Sequence, residues 1–335
     1  MNVGKILSEA WEIARRRRGL WLFGYLAALL GAPTEATYPR GWVLLMKTLS
    51  RPNPGSRPPQ FVQGGGWQPL DFWRGVLQAM PEHTAKAVGN AHTVSMLGVL
   101  LLFYALFALG AGGVLFGAAQ HRRGETPTRQ HLWGAARRFF WRLFFFPVPV
   151  ALIFLIALAG LSMCLVGVAM QAGAVVAGLG LILFGIVVVV TWFIAVYVQL
   201  GETAVVVDNL SLWGALGRAE TLWREHFWHV SLVALVLWLI QKIAWQVVGF
   251  VISWGVAFLG VLLQFGGQTL VDWFAAHPAL TVVTSIGLVV GSKALAALPL
   301  APVVTFTLAG WVLLYRSLSV FEPQPTESPM PTQEA

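Results

Sequence analysis

Charged residues are scarce in this chain of 335 residues: Asp, Glu, Lys and Arg make up 11% of it, against about 25% in soluble domains. Folding in water has to leave polar groups on the surface, so a chain this poor in charge and 57% apolar cannot be a water-soluble globule. Cysteine is nearly absent. The single Cys164 excludes an intramolecular disulfide and a Cys-rich metal site. The constellations that carry chemistry are missing too. Gly64 to Gly66 lack the following Lys-Ser/Thr of a phosphate loop, and no strand precedes them. Ser162 and Cys164 share an apolar run with no histidine or carboxylate close in sequence. His226 and His229 stand at i,i+3 beside Glu225, but no second ligand cluster accompanies them. His121 and His131 sit in a basic connection and read as solvated. No catalytic residue, metal ligand or cofactor is expected.

What the chain has instead is long apolar runs flanked by arginine. The net charge is +8, and the basic residues cluster beside those runs. That placement reads as a topology signal and a contact with anionic lipid rather than as a nucleic-acid surface. The 16 tryptophans and 21 phenylalanines suit a bilayer, where aromatic rings sit at headgroup level. A helix needs about 20 apolar residues to cross. The runs predict spans at Leu20 to Ala32, at Thr93 to Ala119, twice within the uncharged stretch Leu143 to Leu200 with a turn at Gln171 to Gly173, from Phe227 onward, and up to Tyr315. The N-terminus has the outline of a secretory signal, but its leading region is long and carries Glu9 and Glu12, and Pro33 follows the small-residue position. Retention as a first span is expected.

Arg15 to Arg18, Arg122 to Arg142, and Arg218 with Arg224 all fall on one side of this arrangement. The positive-inside rule then puts both termini in the cytoplasm of a prokaryotic inner membrane, with about six crossings. Pro33 to His92, rich in proline and glycine, reads as an irregular extracytoplasmic loop. Two apolar pieces in it, Trp42 to Leu49 and Phe72 to Met80, are placed on the outer surface. Residues 1–321 form one membrane domain, and the proline-rich 322–335 a disordered cytoplasmic tail. Lys242 and Lys293 interrupt apolar stretches, at a cost of about 2.5–3.5 kcal/mol each at mid-bilayer. Their distances from His226 and Arg316 let both snorkel to the outer interface. The alternative is that they line a path. Gln246 to Pro278 becomes an outer segment, re-entrant or interfacial. Gly113 with Gly117, and Gly287 with Gly291, fit close helix packing.

An amphipathic helix is predicted before each odd-numbered span. Val3, Ile6, Leu7, Ala10, Ile13 and Ala14 form the first apolar face, with Glu12 and Arg16 paired opposite. Thr128 caps the second, with Leu132, Ala136, Phe139 and Leu143 inward. Ser211 caps the third, with Trp213, Leu216, Ala219, Trp223 and Phe227 on one face and Glu220 beside Arg224. The second and third share Gly-Glu-Thr (124–126 and 201–203) and Leu-Trp-Gly-Ala (132–135 and 212–215), consistent with a three-unit repeat of interfacial helix plus hairpin. Internal repeats are frequent among transporters.

The segment GETAVVVDNLSLWGALGRAETLWREHFWHVSL, residues 201–232, resembles a motif of the membrane domain attached to some glycerophosphodiester phosphodiesterases and of the YciC-like inner-membrane proteins. Glu202, Asp208, Leu216, Arg218, Ala219 and Trp223 stand at the motif positions, and the opening ILSEAWEIARRRRGLWLFGYL and closing PLAPVVTFTLAGWVLLYRSL are similar to the family's ends. The resemblance implies an all-α polytopic bundle without the phosphodiesterase catalytic domain. A non-enzymatic membrane protein engaging anionic lipid or a membrane partner (a second copy included) is the leading expectation. Arg137, Arg138, Arg218, Arg224 and Trp223 are the candidate contacts. A transporter of lipidic or apolar compounds is the second reading, and a membrane-embedded lipid enzyme the third.

Overall fold

Apolar residues at helical spacing, with little proline between them, build the α-helices of the described residues. The computed structural model describes residues 3–31, 76, 78–121, 124, 125, 127–148, 156, 161 and 173–319. Its main elements are α1 (Val3–Arg16), α2 (Gly19–Gly31), α3 (Glu82–His121), α4 (Arg129–Phe145), α5 (Gly173–Val207), α6 (Leu212–Ala276) and α7 (Pro278–Ser319). The segment 32–75, Arg122, Arg123, Cys164, most of the expected third span and the tail lie outside the described residues.

Four of these helices are long and apolar enough to cross a membrane: Glu82–His121, Gly185–Val207, Leu212–Ile252 and Pro278–Ser319. Leu97, Leu101, Ile186, Val247, Val251 and Leu295 stand exposed along them. Such bands would be untenable in water and are ordinary against lipid. The chain is a helical membrane protein. α2 has 13 residues, about 20 Å of helix, less than the roughly 30 Å of hydrocarbon it would have to cross alone.

The chain divides into two compact units. The first holds residues 1–23, 108–239 and 305–335; the second holds 24–107 and 240–304. In the first unit, α1 buries Ile6, Ala10, Ile13 and Ala14, and Glu12 pairs with Arg16 at 3.0 Å on its outer side. Thr128 caps α4, accepting from the His131 amide at 3.4 Å, and α4 buries Leu132, Ala135, Ala136, Phe139 and Leu143. Small residues let rings and branched chains lie on helix backbone. A Cβ at Gly113 would overlap the Phe23 ring, one at Gly117 the Leu20 side chain, one at Gly201 the Phe146 ring, and one at Gly310 would come within 2.9 Å of Leu237.

The second unit has a core of its own: Val76, Met80 and Val88, with Ala85, Leu270, Phe274, Ala275 and Val282 packed against them. Val76 and Met80 belong to the apolar piece Phe72 to Met80, and both are buried against these residues. The segment from Gln246, expected to be a separate outer piece, continues α6 without a break as far as Ala276. α6 is one helix of 65 residues. No proline interrupts it until Pro278, which disfavours helical geometry at His277 and opens α7 at a position where its missing N–H costs nothing. The Thr281 hydroxyl donates to the Phe274 carbonyl at 2.7 Å across that turn.

Three further expectations change. α6 buries Ala215, Ala219 and Leu222, whereas Trp213 is 82% exposed. Gly287 and Gly291 have no atom within 4 Å of an added Cβ, so they are not packing sites among the described residues. The shared Gly-Glu-Thr tripeptides differ in setting: Gly124 turns the chain at positive φ, while Gly201, Glu202 and Thr203 are helical and buried.

Candidate functional site

In the first unit, polar groups converge on the four residues 208–211 that join α5 to α6. Asn209 adopts a left-handed conformation, φ 54°, which asparagine tolerates better than most residues. Ser211 then starts α6, its hydroxyl accepting from the Gly214 amide at 3.3 Å. Arg142 of α4 closes over this turn. Its Nη1 donates to Asn209 Oδ1 at 3.0 Å, and also to the carbonyls of Asn209 at 3.4 Å and Leu210 at 3.3 Å.

Tyr315 of α7 reaches the same turn. Its side chain is fully buried, and its hydroxyl donates to the Asp208 carboxylate. The Arg218 guanidinium is hydrogen-bonded to that hydroxyl as well. A buried phenol needs such partners, and a charged acceptor makes the bond stronger. Asp208 and Arg218 were both singled out by the family-like motif; Tyr315 was not. The available signal was a lone phenol at the end of an apolar helix.

The candidate contacts separate into two groups. Arg224 pairs with Glu220 at 2.7 Å, and Trp223 lies half-buried against Phe193 and Phe227, 5.6 and 5.3 Å between centroids. Arg218 belongs to the Tyr315 network. These three are occupied within the protein. Arg137 and Arg138 are exposed on α4, with Arg138 stacked over Phe139 at 5.6 Å. His121, expected to be solvated, instead accepts from Arg17 at 3.4 Å through Nδ1. Glu202 is 2% exposed and is met by Gln199 Nε2 at 3.0 Å.

In the second unit, Lys242 is exposed and lies over the Trp245 ring at 5.3 Å. Lys293 is half-buried; its ammonium donates to the Leu30 carbonyl at 3.3 Å and sits 5.6 Å over the Phe103 ring. Leu30 is in the last turn of α2, where carbonyls lack helical partners and the helix dipole is negative. Lys293 thus braces the end of a short apolar helix. Reversing its charge with Lys293→Glu sets a carboxylate against those carbonyls and should cost about 1–2 kcal/mol, whereas Lys293→Arg should hold. Thermal unfolding in detergent reads both, and equal melting of the Glu and Arg variants would remove the brace.

Among the described residues, no group of three or more His, Cys, Asp or Glu side chains is placed to hold a metal. No family model, curated protein or solved structure matches this chain.

Proposed function

We propose that this protein is a non-enzymatic membrane protein of a prokaryotic inner membrane whose basic helices hold anionic phospholipid of the cytoplasmic leaflet. One observation carries the reading. Every arginine among the described residues belongs to the first compact unit, and Arg15, Arg18, Arg129, Arg137 and Arg138 are exposed there with no carboxylate partner among those residues. Unpaired guanidinium groups next to apolar spans attract a leaflet rich in anionic lipid, by about 1 kcal/mol each. The same asymmetry favours a cytoplasmic location for both termini.

The experiment is to extract the full chain together with its surrounding bilayer and measure the lipids held. Enrichment of anionic phospholipid over the bulk membrane is expected, and it should fall when the five arginines are changed to glutamine together. Unbiased lipid with a stoichiometric protein partner would overturn the reading in favour of a protein contact. A reporter fused between Arg129 and Arg142 that is active only outside the cytoplasm would overturn the orientation.

A further inference from the structure

The exposed side of α4 sets two arginines beside two large aromatic rings. At 3.6 residues per turn, Gln130, Gly134, Arg137, Arg138, Trp141 and Phe145 fall within an arc of about 100°, and all six are exposed. The buried residues of α4 occupy the opposite arc. Along the exposed face, charge comes first and aromatic surface follows. Trp141 lies about 6 Å and Phe145 about 12 Å beyond Arg137 along the axis.

Trp141 is 63% and Phe145 50% exposed, and their rings stack at 5.7 Å between centroids with 14° between planes. Two large stacked rings turned outward are poorly suited to water. They suit the boundary between headgroups and acyl chains, which interfacial helices enter by about 5–10 Å. The guanidinium groups of Arg137 and Arg138 have no carboxylate partner among the described residues. The helix is also held in place. Arg142 grips the 208–211 turn, and the Phe146 ring lies on Gly201. The face is therefore preorganised rather than assembled on binding.

We propose that this face of α4 is a docking site for an anionic glycerophospholipid, its phosphate held by Arg137 and Arg138 and its glycerol and upper acyl region lying on Trp141 and Phe145. The inference rests on the lipid-binding reading above and narrows it to one face. Charge and apolar surface both enter the choice of occupant. An acidic soluble protein would satisfy the arginines and leave the rings against polar surface. A zwitterionic lipid offers the same phosphate with a cation that the two arginines repel.

The test titrates the full chain in neutral detergent with phosphatidylglycerol or phosphatidylcholine and counts bound lipids by native mass spectrometry. Arg137→Gln with Arg138→Gln should weaken phosphatidylglycerol binding about 25-fold, roughly five-fold per charge, and leave phosphatidylcholine binding unchanged. Trp141→Ala with Phe145→Ala should weaken both lipids. Arg15→Gln with Arg18→Gln should leave the tightest site intact. Unchanged thermal unfolding checks that these exposed substitutions preserve the fold. If wild type prefers phosphatidylglycerol and the Arg137/Arg138 double variant keeps that preference, the site is overturned while the wider reading stands. If wild type shows no preference between the two lipids, the wider reading falls with it.

Discussion

Gly113→Val and Gly201→Val are each expected to abolish the folded protein, while Gly287→Ala and Gly291→Ala leave it intact. At position 113 even a Cβ would overlap the Phe23 ring, and at 201 the Phe146 ring. Phe23 is fully buried and Phe146 is 3% exposed, so neither ring has room to retreat. Overpacking a close-fitted interior costs about 1–3 kcal/mol for an added methylene, and valine adds three carbons where none fits. Gly113→Ala is the milder test: it should lose at least about 2 kcal/mol in spite of the roughly 1 kcal/mol that alanine gains over glycine in a helix. Positions 287 and 291 have open space, so there the helical gain stands alone. Thermal unfolding in detergent separates the two pairs. Phe23→Ala should rescue Gly113→Ala, and Phe146→Ala should rescue Gly201→Ala; failure of both rescues would show that the contacts do not govern these sites.

Two pairs of glycines show where the sequence was legible and where it misled. Gly113 with Gly117 and Gly287 with Gly291 present one identical pattern of small residues one turn apart. Only the first pair meets a ring and a leucine, because close packing depends on which neighbour arrives, and spacing within one helix does not contain that. The buried sides of α1 and α4 follow from their periodicity, since polar residues mark the opposite face of each. At the start of α6 the polar residues mark the exposed face as well, and Trp213 shares that face with Gly217, Glu220 and Arg224, while Ala215, Ala219 and Leu222 are buried opposite. A large apolar residue on the charged face is what the expected apolar face of Trp213, Leu216, Ala219, Trp223 and Phe227 did not allow for. The break expected at Gln246 assumed that a helix ends at the membrane boundary. Nothing in the composition of α6 requires that, and Leu270, Phe274 and Ala275 pack on Val76 and Met80 well beyond it. For the site, Arg137 and Arg138 could be named from the sequence. Arg224 is set apart by Glu220, one turn away and legible in the spacing, whereas the separation of Arg218 depended on Tyr315, far away along the chain.

Tyr315→Phe should cost about 2 kcal/mol, a large effect for one oxygen atom. The phenol gives its proton to the Asp208 carboxylate and is hydrogen-bonded to Arg218; bonds to charged groups contribute about 1.5–3 kcal/mol each. Removing the hydroxyl leaves both charged partners to find water at the edge of the same turn. Asp208 is exposed and can do so readily, which holds the loss near the lower part of that range. A double-mutant cycle of Tyr315→Phe with Asp208→Asn should show coupling of about 1 kcal/mol or more, and additive losses would mean that the bond is not stabilising. Arg142 grips the neighbouring residues of the turn from α4, through separate atoms. Tyr315→Phe should therefore lower the melting temperature without altering phosphatidylglycerol binding well below it. A variant that melts like wild type yet loses the lipid would instead make Tyr315, Asp208 and Arg218 part of the lipid site, and a purely stabilising role at the turn would be abandoned.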